Sequence, residues 1–451
     1  VTTRKYFGTD GIRDRAGEGL LARPRVAVYG RALGRFFAKR AARGRVLVGR
    51  DTRASGPWIV DALADGLAAS GLVAVDGGVL TTPAVQALCR EEGFAGAVVV
   101  SASHNPAHDN GVKVFGGDGR KLPDADELEL ERLIDDDRGP DGAAVAGERA
   151  SDPGAEARYV SFVRSARFPR LDLSGTAIVL DCAHGAASRI GPKLLASFGA
   201  RVHVLHAEPD GENINRDAGV FFVERLRGVV RDATPAVGVA LDGDADRALF
   251  VDEDGVVRDG DDVVGALATD FAARGVLTGS RVVTTVMSNC GLTAFLRRRG
   301  IAHDTVAVGD RHVAARMAET GAVLGGEPSG HVVLRDGDRW FGDGLLTALA
   351  LFDAMRRTGS RLADLCRGVE KFPQLLLNVA VRAKPPTADV PGLAAATRDA
   401  EAELEGEGRV LLRYSGTESL LRVMVEGRDG DRVRAIADRL AALVRREIGA
   451  R

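Results

Sequence analysis

The chain has no basic stripe: its formal net charge of −2 comes from 61 Lys and Arg against 63 Asp and Glu in mixed order. That excludes the electrostatic footprint of a nucleic-acid binder. Cysteine is sparse and unpaired in spacing, with Cys89, Cys182, Cys290 and Cys366 scattered along the chain. Neither a disulfide framework nor a zinc site follows from such spacing, and reduced thiols in a cytoplasmic setting are expected. No apolar run approaches the roughly 18 residues that a spanning helix needs. The first residues, Val-Thr-Thr-Arg-Lys, carry no signal-peptide apolar core, so neither a membrane partner nor export is expected. Aromatics are few as well, at 5% of residues.

What remains is the composition of an ordinary soluble globular protein, 45% apolar and 27% charged over 451 residues. That length suggests about three or four domains. Helical patterns at 26–39 and 58–69 alternate with short apolar strands at 46–48, 72–75 and 97–100, as in α/β layers. Residues 124–152 turn acidic and then Gly/Ala/Asp-rich, read as a helix leading into a linker. A second α/β unit follows, with strands at 177–180, 202–205 and 237–241. A third has a helix at 263–273 and a strand at 281–286. From residue 375 the pattern changes to strands at 375–381, 410–414 and 420–425, with helices at 393–404 and 433–448. The expected fold class is therefore α/β: three related α/β domains with mixed sheets plus a smaller C-terminal α+β domain around a central cleft. Boundaries are expected at 1–152, 153–252, 253–370 and 371–451.

The most informative loop follows the apolar run 237–241. Asp242, Asp244 and Asp246 sit at i, i+2 and i+4 around Gly243 and Ala245, with Arg247 after them. Carboxylates held that close repel each other unless a cation lies among them. All-oxygen donors suit a hard ion such as Mg²⁺. A lone Asp-Gly-Asp is commonly only a surface turn; a third aspartate and an arginine favour the metal site.

Two further loops end strands in the same way. After 97–100 comes Ser-Ala-Ser-His-Asn-Pro at 101–106, with Ser103 beside His104 and Lys113 downstream. The rival reading, a Ser-His-acid hydrolase, lacks its G-x-S-x-G elbow, so Ser103 reads as a phosphoryl carrier. At 325–331, Glu327, Ser329 and His331 alternate, offering donors and acceptors to a hydroxyl-bearing ligand. Each loop is followed by a short apolar strand, an Asp-Gly turn and a returning strand (112–122, 248–257, 331–340). One loop-then-hairpin design thus appears three times. Near the start, glycine-punctuated residues 6–13 end in Arg13, a candidate phosphate contact. His184 reads as a packing residue, and Asn213, Asn215 and Arg216 form a polar loop without a clear role. Between the last two strands, Ser415, Gly416 and Thr417 stand between Arg413 and Arg422, as a phosphate cradle requires.

Taken in order, these four loops resemble the signatures of the α-D-phosphohexomutase superfamily, and the resemblance covers essentially the whole chain. It implies that Ser103 is phosphorylated and that its phosphate joins Asp242, Asp244 and Asp246 in holding Mg²⁺. Glu327 and Ser329 would bind sugar hydroxyls. Arg413, Ser415, Gly416, Thr417 and Arg422 would hold the non-reacting phosphate, while Arg13, His104, Lys113, Arg247 and His331 would surround the transferring group. Lys113 and His331 are both open as proton acceptors. The implied partners are a hexosamine phosphate substrate and a hexose 1,6-bisphosphate activator, and a homodimer is left open. Segments at 7–13, 285–289, 308–311, 342–348 and 422–427 resemble the amino-sugar branch, the neutral-sugar branch being the alternative. Departures from the family pattern are Pro328 where that branch usually has Gln, Ser419 for Pro, Asp14 for Gly and Ala245 for Gly.

Overall fold

The computed structural model describes residues 4–8, 10–41, 44–139, 148–233, 236–415 and 418–450. The chain groups into two compact units. One comprises Val1–Val286 and Asp304–Cys366; the other comprises Met287–His303 and Arg367–Arg451.

Three mixed sheets build the first unit. The first sheet contains β1 (Ile12–Arg15), β2 (Arg45–Arg50), β3 (Val73–Val79), β4 (Gly96–Val100), β5 (Asp109–Gly116) and β6 (Arg149–Ser151), in the order β1-β5-β4-β2-β3-β6. The second contains β7 (Ala177–Asp181), β8 (Arg201–Leu205), β9 (Val237–Leu241), β10 (Ala248–Val251) and β11 (Val257–Arg258), ordered β11-β10-β9-β7-β8. In the third, β12 (Arg281–Thr285) is followed across the sheet by β14 (Leu324–Gly326), β15 (Val332–Asp336) and β16 (Arg339–Gly342). Residues 304–306 of β13 (Ala302–Val306) lie on its far edge.

The three sheets share one device. A strand buried at every residue (β4, β9 or β14) runs parallel to an inner neighbour. It then enters a polar loop, and the chain returns antiparallel beside it. The closing register pairs are Val100 with Val112, Leu241 with Ala248 and Gly326 with Val332. Burial on both faces explains why these strands are continuous apolar runs instead of alternating ones. The expected echo is therefore present, with one difference. The returning strands β11 and β16 form in the second and third sheets, but in the first the return is a single bridge, Phe115 to Lys121.

Two strands lie where the sequence suggested turn or linker. β1 forms within and after the glycine-punctuated segment and pairs with β5. β6 adds an edge beside β3, although all three of its residues are exposed; with nothing to bury, it leaves no apolar signal.

The second unit is α+β. Here β17 (Gln374–Ala380), β18 (Gly408–Tyr414) and β19 (Leu420–Gly427) form an antiparallel sheet in the order β17-β19-β18. The helix Gly430–Ile448 covers it, burying Val433, Ile436, Ala437, Leu440, Ala441, Val444 and Ile448, the spacing of one helical face. Asp429 caps that helix by accepting from the N–H groups of Asp431 and Arg432. Met287–His303 joins this unit through Glu426 Oε1, which accepts from Cys290 N at 2.8 Å, and through Asn289, bonded both ways to Phe372. Among the described residues no helix is long and apolar enough to cross a membrane, and all four cysteines are free thiols.

Candidate active site

The serine loop is held by a buried arginine. Arg53, 1% exposed, donates from Nε to Asp51 Oδ2 at 2.9 Å. Its remaining N–H groups reach the carbonyls of Ser103 (3.0 Å), Asn105 (2.9 Å), Asp109 (2.9 Å) and Pro106. Only a planar fork of donors satisfies so many acceptors at once. Asp51 in turn accepts from Ser101 Oγ at 2.6 Å, and Ser101 Oγ accepts from Ser103 N at 2.9 Å. Asn215 closes the other side, its Nδ2 donating to the carbonyl of Ser103 at 2.8 Å and of Asn105 at 3.1 Å. Ser103 itself adopts φ 52°, a left-handed backbone that costs about 1 kcal/mol or more and that these contacts hold in place.

From this position Ser103 Oγ donates to Asp242 Oδ2 at 2.6 Å and lies 3.4 Å from His104 Nδ1. Burial, then Arg247 and Arg13, bring the His104 imidazole down to about 4, so it is neutral at pH 7. Its ring also packs edge-on against Phe221 at 5.4 Å.

Asp242, Asp244 and Asp246 are buried and offer oxygens within 4.8 Å of one another. A Cβ at Gly243 would stand 2.5 Å from the Ser103 carbonyl, so the metal loop and the serine loop meet only because that residue is glycine. Burial, with Asp246 and Asp244 alongside, raises Asp242 well above the usual carboxylate range. Burial alone would also raise Asp244, but Lys113, at 2.7 Å, and Thr82 Oγ1, at 2.5 Å, hold it low. Asp244 Oδ1 and Asp246 Oδ1 are buried without a hydrogen-bond partner among the described residues. Converging carboxylates with free, aimed oxygens fit a hard divalent cation.

Arg13, His104, Asp246, Arg247, Glu327 and His331 line a cavity of about 400 Å³ beside this triad. Arg13 Nε, Arg247 Nε and His331 Nε2 are also buried, with no hydrogen-bond partner among the described residues. Buried polar groups are ordinarily satisfied, so such a cluster marks where an anionic, hydroxylated ligand would complete the bonding. Glu327 is fixed by accepting from Gly309 N at 3.0 Å. Ser329 is exposed and does not line the cavity. His331 packs against Gly342, where a Cβ would fall 2.0 Å from Nε2.

Lys113 is buried and paired with Asp244 at 2.7 Å and Asp10 at 2.8 Å. Burial would lower its pKa, but Asp10 and Asp244 raise it instead. A lysine held charged in this way is a poor proton acceptor, which leaves His331 of the two candidates. Sequence reasoning missed Asp10, which binds Lys113, Lys121 (2.6 Å) and Arg13 (2.6 Å). It also missed Asp310, which pairs with Lys121 at 2.7 Å and lies 3.6 Å from His331 Nε2. Arg53 and Thr82 were missed too, and Asn215 was noticed without a role. Asp10 and Asp310 stand inside the segments 7–13 and 308–311 singled out above, where neither was given a role; Arg53 and Thr82 stand inside no distinctive motif. His184 packs edge-on against His206 at 5.2 Å, as expected.

In the second unit Arg413 and Arg422 are direct cross-strand partners. Like charges directly opposite are unfavourable unless an anion joins them; the Glu418 carboxylate lies 3.8 Å from Arg422, and Arg422 Nε is buried without a hydrogen-bond partner among the described residues. Ser415 accepts at Oγ from Glu418 N at 3.2 Å and at its carbonyl from Lys384 Nζ at 2.7 Å. Gly416 and Thr417 lie outside the described residues.

Four models of phosphoglucomutase/phosphomannomutase domains match in register with these loops: α/β/α domain I at 4–139, domain II at 157–255, domain III at 259–372 and the C-terminal domain at 376–443. The chain is 45% identical to the phosphoglucosamine mutase of Halorhodospira halophila over 98% of this chain and 96% of that one.

The chain belongs to the phosphoglucomutase/phosphomannomutase family.

Membership makes it a phosphohexomutase, an isomerase. The phosphoglucosamine mutase of Saccharopolyspora erythraea is 46% identical over 98% of this chain and 99% of that one. A phosphoglucomutase/phosphomannomutase family protein from Burkholderia thailandensis superposes with a TM-score of 0.79 at 25% identity, covering 97% of each chain. Within this phosphohexomutase the three sheets and the antiparallel C-terminal sheet follow the order of the family's four domains.

Proposed function

We propose that the chain interconverts glucosamine 6-phosphate and glucosamine 1-phosphate through a phosphoserine enzyme and a 1,6-bisphosphate intermediate. The observation that carries the reading is the position of Ser103 Oγ, 2.6 Å from Asp242 at the edge of the aspartate triad. The full-length relatives named phosphoglucosamine mutase support the choice of sugar. The four-domain division at 152, 252 and 370 belongs to the same reading, supported by the four domain matches. Cytoplasmic residence is also part of it.

Asp242, Asp244 and Asp246, together with an oxygen of phosphorylated Ser103, would hold Mg²⁺. When bound, the ion supplies positive charge to the transferring phosphoryl group. The remaining work falls to the chain's own residues. Arg247 and Arg13 direct free Nε–H groups into the cavity to hold phosphoryl oxygens in line. Glu327 accepts from sugar hydroxyls. The sugar O1 attacks phosphorus: the O1–P bond forms, the P–Oγ bond of Ser103 breaks, and the O1 proton passes to His331. The freed Oγ takes a proton from solvent and, as a hydroxyl again, donates to Asp242. After the bisphosphate turns over, Ser103 takes the 6-phosphoryl group by the reverse sequence. Arg413, Ser415 and Arg422, with Gly416 and Thr417, are assigned the idle phosphate.

The choice of sugar is tested by kcat/KM for glucosamine 6-phosphate, glucose 6-phosphate and mannose 6-phosphate, each with Mg²⁺ and a priming hexose 1,6-bisphosphate. Glucosamine 6-phosphate is expected to lead by at least tenfold. A lead for either neutral sugar would move the chain to the other branch and make Pro328 the first residue to replace.

A further inference from the structure

A cavity of about 840 Å³ in the first unit shares no lining residue with the catalytic one. It lies between residues 167–172 and the last turns of the helix Gly344–Thr358. Six arginines and two aspartates line it. Cations suit a helix C-terminus, but the pairing here is uneven. Arg357 is held by Asp270 at 2.8 Å and Asp353 at 2.9 Å, and Arg274 reaches Asp270 at 3.4 Å. Arg170 and Arg356 make no ion pair within 4 Å among the described residues. Arg335 donates to the Gly337 carbonyl at 2.7 Å.

The lining also includes the apolar and aromatic Phe168, Leu171, Phe271 and Leu334, with the Arg274 guanidinium over the Phe271 ring at 5.9 Å. Leu171 is buried, and Phe168 packs edge-on against Phe198 at 6.4 Å. A concave site at a junction of layers, mostly apolar with a few strong polar groups, is the general form of a small-molecule site, and the volume is within the usual range. Guanidinium groups recognise phosphate by paired N–H donors, while an aromatic floor accepts a flat ring.

We propose that this cavity is a second ligand site, for a phosphate ester carried on a flat ring, the chemistry of a nucleotide. Arg170 and Arg356 take the phosphates, and Phe168 and Phe271 take the ring. The site goes beyond the mutase reading, and only its test rests on that reading, to keep ADP from the catalytic cavity.

Calorimetric titration of ADP, without Mg²⁺, into the full chain already saturated with glucose 1,6-bisphosphate tests this. The bisphosphate keeps ADP from the catalytic cavity. One equivalent of ADP should bind, and Arg170→Glu with Arg356→Glu should weaken it at least about tenfold while mutase kcat/KM stays within twofold. No binding at millimolar ADP overturns the site. Equal affinity in the double variant overturns the assignment of the two arginines. Pyrophosphate binding as tightly as ADP overturns the ring half of the proposal.

Discussion

Lys113 Nζ lies 2.8 Å from Asp10 Oδ2, an ion pair 103 positions apart in the chain that decides the charge state of the candidate active site. Asp10 also receives Lys121 and Arg13, so one carboxylate balances three cations. Removing it takes the carboxylate from Arg13 and one of the partners from Lys113 and Lys121, which keep Asp244 and Asp310, at a cost of roughly 3 kcal/mol. Asp10→Asn should lower the unfolding free energy by about that amount and reduce kcat at least tenfold. Denaturant unfolding and steady-state rates check it; a variant of native stability and rate would remove Asp10 from the account.

Arg53 makes five side-chain bonds to the serine loop and Asp51. Lysine keeps the charge but not the fork. Arg53→Lys should keep the fold, with a loss of about 2–3 kcal/mol from unsatisfied buried carbonyls. Its kcat should fall by at least tenfold because Ser103 loses its fixed backbone. Equal kcat in the lysine variant would show that the Asp51 charge pair alone holds the loop.

Gly342 leaves room for the His331 ring, since a Cβ there would sit 2.0 Å from Nε2. The imidazole must therefore move in Gly342→Ala. The expected result is a loss of kcat comparable to that of His331→Ala, with no further loss when the two are combined. Additive losses would mean that Gly342 matters for another reason.

Asp343 accepts from Tyr159 OH and caps the helix Gly344–Thr358 through Leu345 N and Leu346 N. Burial raises its pKa to about 6, above the ordinary aspartate value of 3.8. A folded-state pKa above the unfolded value means that the fold binds the proton more tightly. This contribution to stability is fully present below the unfolded pKa and is lost as pH rises through about 6. Asparagine keeps the cap and removes the charge. Asp343→Asn should thus gain on the order of 2 kcal/mol relative to wild type between pH 5 and pH 8. Melting temperatures at the two pH values measure it; parallel curves would place the titration elsewhere.

How much of this was legible in the sequence follows from where the signals lie. Asp242, Asp244 and Asp246 announced themselves because a buried apolar strand runs straight into three carboxylates at alternate positions. Ser103 and Glu327 stood in the same relation to their strands, and the recurrence of that relation is the architecture of all three sheets. The supports were not legible. Arg53 reaches Ser103 across 50 residues and Thr82 reaches Asp244 across 162, so nothing local marks either. The edge strand β6 buries no residue and so shows no apolar pattern. Lys113 was visible as a basic neighbour, but its buried pairing with Asp10 and Asp244, which removes it as a base, exists only in three dimensions.

The most direct test is to incubate the chain with glucose 1,6-bisphosphate and Mg²⁺, map the phosphorylated residue by peptide mass spectrometry, and chase with glucosamine 6-phosphate. The account predicts one phosphoryl group on Ser103, lost to the sugar as a 1,6-bisphosphate and absent from Ser103→Ala, which also lacks turnover. Phosphate on another residue, release only as inorganic phosphate, or full turnover in Ser103→Ala would contradict it.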